Sequence, residues 1–158
     1  MNRHSSRLRR VVVVAGGLLV LAGCASLIPA SPTRVKGDIQ AVEALNPSVS
    51  RRPSPLRLRI YELRADSAFA KADFMSLYEG DRALLAADLV ARDEITLQPG
   101  EKRPYDKQLN PETRFIGVLA IYRDLDRASW RAIVPVRPNK TQALTIRADA
   151  LAITAVVQ

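Results

Sequence analysis

The run Phe115–Tyr122 (FIGVLAIY) is apolar on both of its faces. One face presents Phe115, Leu119 and Ile121, the other Ile116, Val118 and Tyr122. Side chains alternate between the two sides of a strand, so a strand of this kind must be covered twice. A second sheet can cover one side. The candidate for the other is the segment Ser67–Val90, where the period changes. There Phe69, Phe74, Leu77 and Tyr78, and then Leu84, Leu85, Leu89 and Val90, stand at helical intervals. Asp73 is placed to cap a helix starting at Phe74, and Gly80 to end or break it.

The rest of the pattern is mostly strand. Val35–Ala44 is a weakly alternating first strand. Leu56–Leu63 (LRLRIYEL) alternates, with Leu56, Leu58 and Ile60 inward and Arg57 and Arg59 outward. Glu94–Leu97 is a short strand closed by the turn Pro99-Gly100. Trp130–Val136 and Thr141–Arg147 are joined across Pro138-Asn139, and Leu151–Val157 comes last. Roughly seven or eight short strands with one helical insertion predict a mainly β, two-sheet β-sandwich. The alternative is an α+β single sheet with helices on one face. Asn46–Pro55 carries Pro47, Pro53, Pro55, three Ser and the pair Arg51-Arg52. It reads as a long polar loop with no role in the core.

The N-terminus is an address. Met1–Arg10 is basic, with Arg3, Arg7, Arg9 and Arg10, and an apolar run follows from Val11 to Ala22. That run is about half the ~20 residues a spanning helix needs, so it reads as a secretory signal. It ends Leu21-Ala22-Gly23-Cys24, the lipobox pattern of bacterial lipoproteins. Residues 1–23 are the expected signal peptide, cut between Gly23 and Cys24. Cys24 takes diacylglycerol on its thiol, after which it becomes the amino terminus and takes an N-acyl chain. Residues 24–34 form the lipidated Cys and tether, and 35–158 a periplasmic β-sandwich domain. Within the tether, Ala25–Thr33 (ASLIPASPT) resists helix and sheet and could reach up to ~30 Å when extended. Ala25 stands where Asp would retain a lipoprotein at the inner membrane, which favours the periplasmic face of the outer membrane.

Removing that leader changes the charge. The chain has 24 Lys+Arg against 16 Asp+Glu, formally +8, and four of the Arg leave with the signal. The mature excess is about +4, too small and too scattered to point to nucleic acid. The only His, His4, lies in the leader, and the only Cys is consumed by lipid. A His–Cys zinc site and a Ser–His–Asp triad are therefore excluded, and no metal or cofactor beyond the acyl chains is expected. Gly37, Gly80, Gly100 and Gly117 are too dispersed for a phosphate loop. Asp124 and Asp126 fall where a strand should turn, and Asp is a turn residue. Asp93-Glu94 reads as solvated edge charge, and Trp130 as core. What remains is a lipid-anchored, non-catalytic interaction module without a small-molecule substrate. The rival readings are a carboxylate-dependent cell-wall hydrolase and a generic envelope-stability lipoprotein.

Several runs, taken together, are similar to one family. They are Phe69…Ala72-Asp73-Phe74-Met75-Ser76-Leu77-Tyr78-Glu79…Asp81 and Thr113-Arg114-Phe115-Ile116-Gly117-Val118…Tyr122-Arg123-Asp124-Leu125-Asp126…Trp130-Arg131. Asn46-Pro47, Arg59-Ile60-Tyr61-Glu62-Leu63 and Leu97…Pro99-Gly100 stand in order with them. Over roughly residues 24–150 the chain resembles the TssJ (VasD/SciN) family of outer-membrane lipoproteins of the type VI secretion system. The resemblance implies a transthyretin-like sandwich with an added helical piece and no enzymatic activity. It implies a place in the envelope-spanning membrane complex and binding to the periplasmic domain of the inner-membrane protein TssM. The family's contact element is the loop between the first two strands. Here that maps to Leu45, Asn46, Pro47, Ser48, Val49, Ser50, Arg51, Arg52, Pro53 and Ser54.

Overall fold

A computed structural model describes residues 31–158. The signal peptide, the cleavage site at Gly23 and Cys24, and the first part of the tether lie outside the described residues. Eight strands alternate with a short helical segment: β1 (Arg34–Ala41), β2 (Leu56–Leu63), α1 (Ser67–Lys71), α2 (Phe74–Leu85), a 3-10 turn (Ala86–Asp88), β3 (Leu89–Leu97), β4 (Lys102–Gln108), β5 (Phe115–Ile121), β6 (Arg131–Pro135), β7 (Thr141–Ala148) and β8 (Ile153–Val157). They form two four-stranded sheets, β4-β1-β7-β8 and β3-β2-β5-β6. All neighbours are antiparallel except β1 and β7, which run parallel with Arg34 opposite Thr141.

β5 is covered twice, as its composition requires. Ile116, Val118 and Ala120 face inward between the sheets, against Leu56, Leu58 and Ile60 of β2 and Leu144 and Ile146 of β7. Phe115 and Leu119 face outward, into a second cluster with Tyr61, Leu63, Phe69, Leu77 and Leu85. This second layer is the helical segment. Gly117 makes room for it. A Cβ there would stand 3.0 Å from Phe69 Cε1 and 3.2 Å from Leu63 Cδ1. Gly117→Val should cost about 2 kcal/mol by forcing the Phe69 ring off the sheet, read as a lower urea midpoint at unchanged slope.

The helices start and bend where the sequence directs. Asp73 caps α2 by accepting from the Ser76 amide at 2.9 Å and from its hydroxyl at 2.6 Å. Gly80 leaves helical geometry, at φ −134°, and kinks α2. The turn from β3 to β4 is closed by the Glu101 amide donating to Gln98 O at 3.1 Å. Gly100 sits there at φ +73°, the left-handed position that favours Gly after Pro99.

Asp81 fastens the helices to the sheet. Its side chain is 7% exposed and accepts from Tyr61 Oη at 2.8 Å, Arg92 Nη1 at 2.6 Å and Arg59 Nη1 at 3.4 Å. Arg59 also donates to the Tyr78 carbonyl at 2.8 Å and to Glu94 at 2.9 Å. Burial pushes the Asp81 carboxyl upward, but the bonds from Arg92 and Tyr61 and the two guanidinium charges hold it below the ordinary carboxylate value. Its contribution is therefore full above the ordinary carboxylate range and is lost as pH falls through the lower folded value. Asp81→Asn should cost about 2–3 kcal/mol, because it leaves the Arg92 guanidinium without its counter-ion and Arg59 with Glu94 alone. The wild type should lose that margin in acid while the variant's stability changes less, measured by urea titration at each pH.

Five expectations need correction. β1 ends at Ala41 rather than Ala44. β3 begins at Leu89, so the last residues assigned to the helix are strand; Leu89 and Val90 continued a helical spacing by coincidence. β4 was absent from the pattern because Lys102–Gln108 (KRPYDKQ) is charged and contains Pro104. Both traits suit an edge strand, where an amide can be missing and charge deters further pairing. Asp93-Glu94 is not simple edge charge. Asp93 accepts from Tyr105 Oη at 3.1 Å and Lys107 Nζ at 2.7 Å, and Glu94 pairs with Arg59. Trp130 is half-buried, standing edge-on to Phe74 at 5.4 Å under the Arg131 guanidinium at 4.7 Å.

Candidate functional site

The β1–β2 connection is an ordered loop with an exposed tip. The Ser54 amide donates to Leu45 O at 2.9 Å, the Ser48 amide to Arg52 O at 2.8 Å, and the Arg51 amide back to Ser48 O at 2.8 Å. The Ser48 hydroxyl accepts from the Arg52 amide at 3.2 Å. Asn46 at φ 44° and Arg51 at φ 59° supply the left-handed residues that turn the chain. Such backbone is strained for non-glycine residues and is held here by the paired hydrogen bonds around it.

Not all of this loop is surface. Leu45, Asn46 and Ser54 are buried, which corrects the expectation that it has no core role. Leu45 joins the interior cluster. The Ser54 hydroxyl donates to the Asn46 carbonyl. Asn46 is the anchor. Its Nδ2 donates to Pro55 O at 2.8 Å, its Oδ1 accepts from the Arg123 amide at 2.9 Å, and its own amide donates to Ala150 O at 3.1 Å. One side chain thus binds the loop to the β5–β6 connection. Asn46→Ala should cost about 1–3 kcal/mol, because it takes the partner from the part-buried Arg123 amide and Pro55 carbonyl. It should also speed hydrogen exchange across residues 45–55 more than in β2.

The remaining residues form the tip. Pro47 and Ser48 are half-buried, whereas Val49, Ser50, Arg51, Arg52 and Pro53 are exposed. Val49 is fully solvated. The tip overhangs a groove of about 910 Å³ whose other wall is the β5–β6 connection and Leu151. The apolar lining comes from Pro47, Val49, Leu125 and Leu151. Asp124 is bound within its own turn, pairing with Arg127 Nε at 2.6 Å. That contact holds its carboxyl below the ordinary value. Arg51, Arg52 and Arg123 have no carboxylate within salt-bridge distance among the described residues. Asp126 also lines the groove and has no cation within salt-bridge distance among the described residues. The surface therefore offers apolar contacts beside three unpaired Arg and one unpaired Asp, a small cationic excess that suits an acidic protein partner.

Sequence reading missed the groove wall. Arg123, Leu125 and Leu151 lie far from residues 45–54 in the chain, and the Asn46 bonds to Arg123 and Ala150 bring them together. Among the described residues no group of His, Cys, Asp or Glu is placed to hold a metal ion. No helix there is long and apolar enough to cross a membrane.

Residues 33–151 match the family described as type VI secretion lipoprotein, VasD, EvfM, TssJ. Among solved structures, the fold is similar to the type VI secretion lipoprotein TssJ1 from Pseudomonas aeruginosa, with 44% identity, 80% of this chain and 97% of that chain covered, and a TM-score of 0.77. Serratia marcescens Lip, a membrane-bound component of the type VI secretion system, shares 27% identity over 79% of this chain and 98% of its own, with a TM-score of 0.72. A chain in the solved structure of the TssM C-terminal domain from EAEC matches at 27% identity, covering 78% of this chain and 98% of that one, with a TM-score of 0.62. No curated protein sequence matches.

Proposed function

The chain belongs to the type VI secretion lipoprotein family, and from that premise we propose that it is the outer-membrane-anchored subunit that docks the periplasmic region of TssM. Residues 1–23 direct export, and Cys24 carries the acyl chains that hold residues 35–158 at the periplasmic face of the outer membrane. The domain works by binding and not by catalysis. Of the acidic pair suggested for a hydrolase, Asp124 is committed to Arg127 and to its turn, which leaves Asp126 without the second free carboxylate such catalysis uses.

The observation that carries this reading is the β1–β2 loop. Its base is buried and hydrogen-bonded, so the exposed tip Val49–Pro53 is held in shape before a partner arrives. Preorganisation lowers the entropy lost on binding. Exposed Val49 beside Arg51 and Arg52 supplies apolar and charged contact at one point. The relatives lend support, because a chain of this fold occurs in a structure of the TssM C-terminal domain and another in one described as a type VI membrane complex.

Affinity capture of the native lipoprotein from detergent-solubilised envelopes tests the proposal. TssM should be recovered with the wild type and depleted when Ser48–Arg52 is replaced by a Gly-Ser turn. Equal recovery with both would remove the loop from the account, and no TssM with either would remove the partner.

A further inference from the structure

The chain enters the sandwich at the end opposite the docking loop. Thr33 O accepts from the Leu109 amide at 2.9 Å, its hydroxyl accepts from the Asn139 amide at 2.9 Å, and the Arg34 amide donates to Lys140 O at 3.0 Å. The β4–β5 and β6–β7 connections therefore surround the point where the tether joins β1. From there β1 runs its eight residues, about 26 Å, to the base of the β1–β2 loop. The tether and the loop tip thus leave from opposite ends of one strand.

At the tether end three cations stand without a carboxylate partner, in the presence of Asp66 and Asp88, which have no cation within salt-bridge distance among the described residues. Arg34 is paired with Asp106 and Arg64 with Glu112. Arg114, Arg137 and Lys140 are exposed and have no carboxylate partner within salt-bridge distance among the described residues. Residues 1–30 contain no Asp or Glu that could supply one. Arg114 donates to the carbonyls of Pro111 and Thr113, and Arg137 to the Gln142 amide oxygen. These bonds orient the guanidiniums and leave their charge intact. The β4–β5 and β6–β7 connections are tied together where the Val136 amide donates to Arg114 O at 2.8 Å, so the three cations share one rigid end.

We propose that this end is a lipid-facing seat. Arg114, Arg137 and Lys140 rest on anionic phospholipid headgroups and set the domain upright, with the β1–β2 loop pointing away from the bilayer. The inference rests on the acylation of Cys24 proposed above. The segment from Cys24 to Thr33 reaches at most ~30 Å, which keeps this end near the surface. Three cations there would favour the seated over the tilted orientation on the order of 10²-fold. A tether alone leaves the loop free to lie against the membrane. Seating presents it to a partner coming from the inner membrane.

The test uses the acylated protein purified from envelopes, reconstituted in vesicles that carry an acceptor dye on a headgroup. With Cys24 acylated, a donor placed at Asn139→Cys or Val49→Cys labels the only free thiol. Phosphatidylcholine vesicles are compared with vesicles in which about a third of the lipid is phosphatidylglycerol. Energy transfer from position 139 should rise on the anionic vesicles and transfer from position 49 should fall. Both changes should vanish in roughly 1 M NaCl, where the Debye length is ~3 Å, and in Arg114→Gln/Arg137→Gln/Lys140→Gln. Protein that stays on both vesicle types with unchanged transfer would overturn the seat and leave the anchor standing. Protein that fails to remain on neutral vesicles would overturn the anchor, and the seat with it.

Discussion

Cys24→Ser should abolish acylation, release the protein from the outer membrane and leave the folded domain unchanged. Each buried CH₂ of an acyl chain contributes about 0.8 kcal/mol, and two lipid signals already give stable anchoring. A mature lipoprotein carries three chains, so the effect is close to all or none. Among the described residues no helix is long and apolar enough to cross a membrane in its place. Domain stability should not change, because both core clusters are built from residues within 33–158. Metabolic labelling with a fatty-acid analogue should mark the wild type and not the variant. Label persisting in the variant would place the acylation on another residue.

Arg51→Glu/Arg52→Glu should weaken TssM binding by about 3–5 kcal/mol while leaving thermal stability nearly unchanged. Both side chains are exposed, and neither has a carboxylate in salt-bridge distance among the described residues, so the fold gains nothing from their charge. Reversal would set two carboxylates against the proposed acidic partner surface, where like charges brought together cost more than the lost attraction alone. Arg51→Gly separates charge from backbone. It removes one cation and relieves the left-handed strain at φ 59°, so it should weaken binding without loss of stability. A large fall in thermal midpoint for the double reversal would mean that the loop had unfolded, and the binding loss would then say nothing about charge.

The parts of the fold that were legible share one property: the pattern had a single physical solution. A strand apolar on both faces demands two covering layers, and Phe115–Tyr122 received a sheet and a helical layer. β2 alternates from Leu56 and was delimited to the residue. The Asp73 cap, the Gly80 kink and the Pro99-Gly100 turn each follow from local backbone chemistry. β4 was hidden because an edge strand is stabilised partly by traits that argue against strand. The parallel pairing of β1 with β7 was hidden because it joins segments about a hundred residues apart. Within the site, the polar loop residues looked alike in sequence. Asn46 and Ser54 are structural and Ser50 and Arg52 are exposed, a division made by Arg123, Pro55 and Ala150 and not by local pattern. The same tertiary contact creates the groove, which is why Leu125 and Leu151 carried no signal of their own.

The central claim is that this sandwich docks TssM through the tip of its β1–β2 loop. Calorimetric titration of residues 25–158 against the TssM periplasmic region tests it most directly. Three proteins should be compared: the wild type, the double charge reversal, and a chain in which only Ser48–Arg52 is replaced, so that the buried Leu45, Asn46 and Ser54 still hold the loop base. The account predicts saturable binding for the wild type, a loss of about 3–5 kcal/mol for the reversal, and a similar or greater loss for the tip replacement, all at near-equal thermal midpoints. Wild-type affinity in both variants would contradict it and send the search to another strand connection.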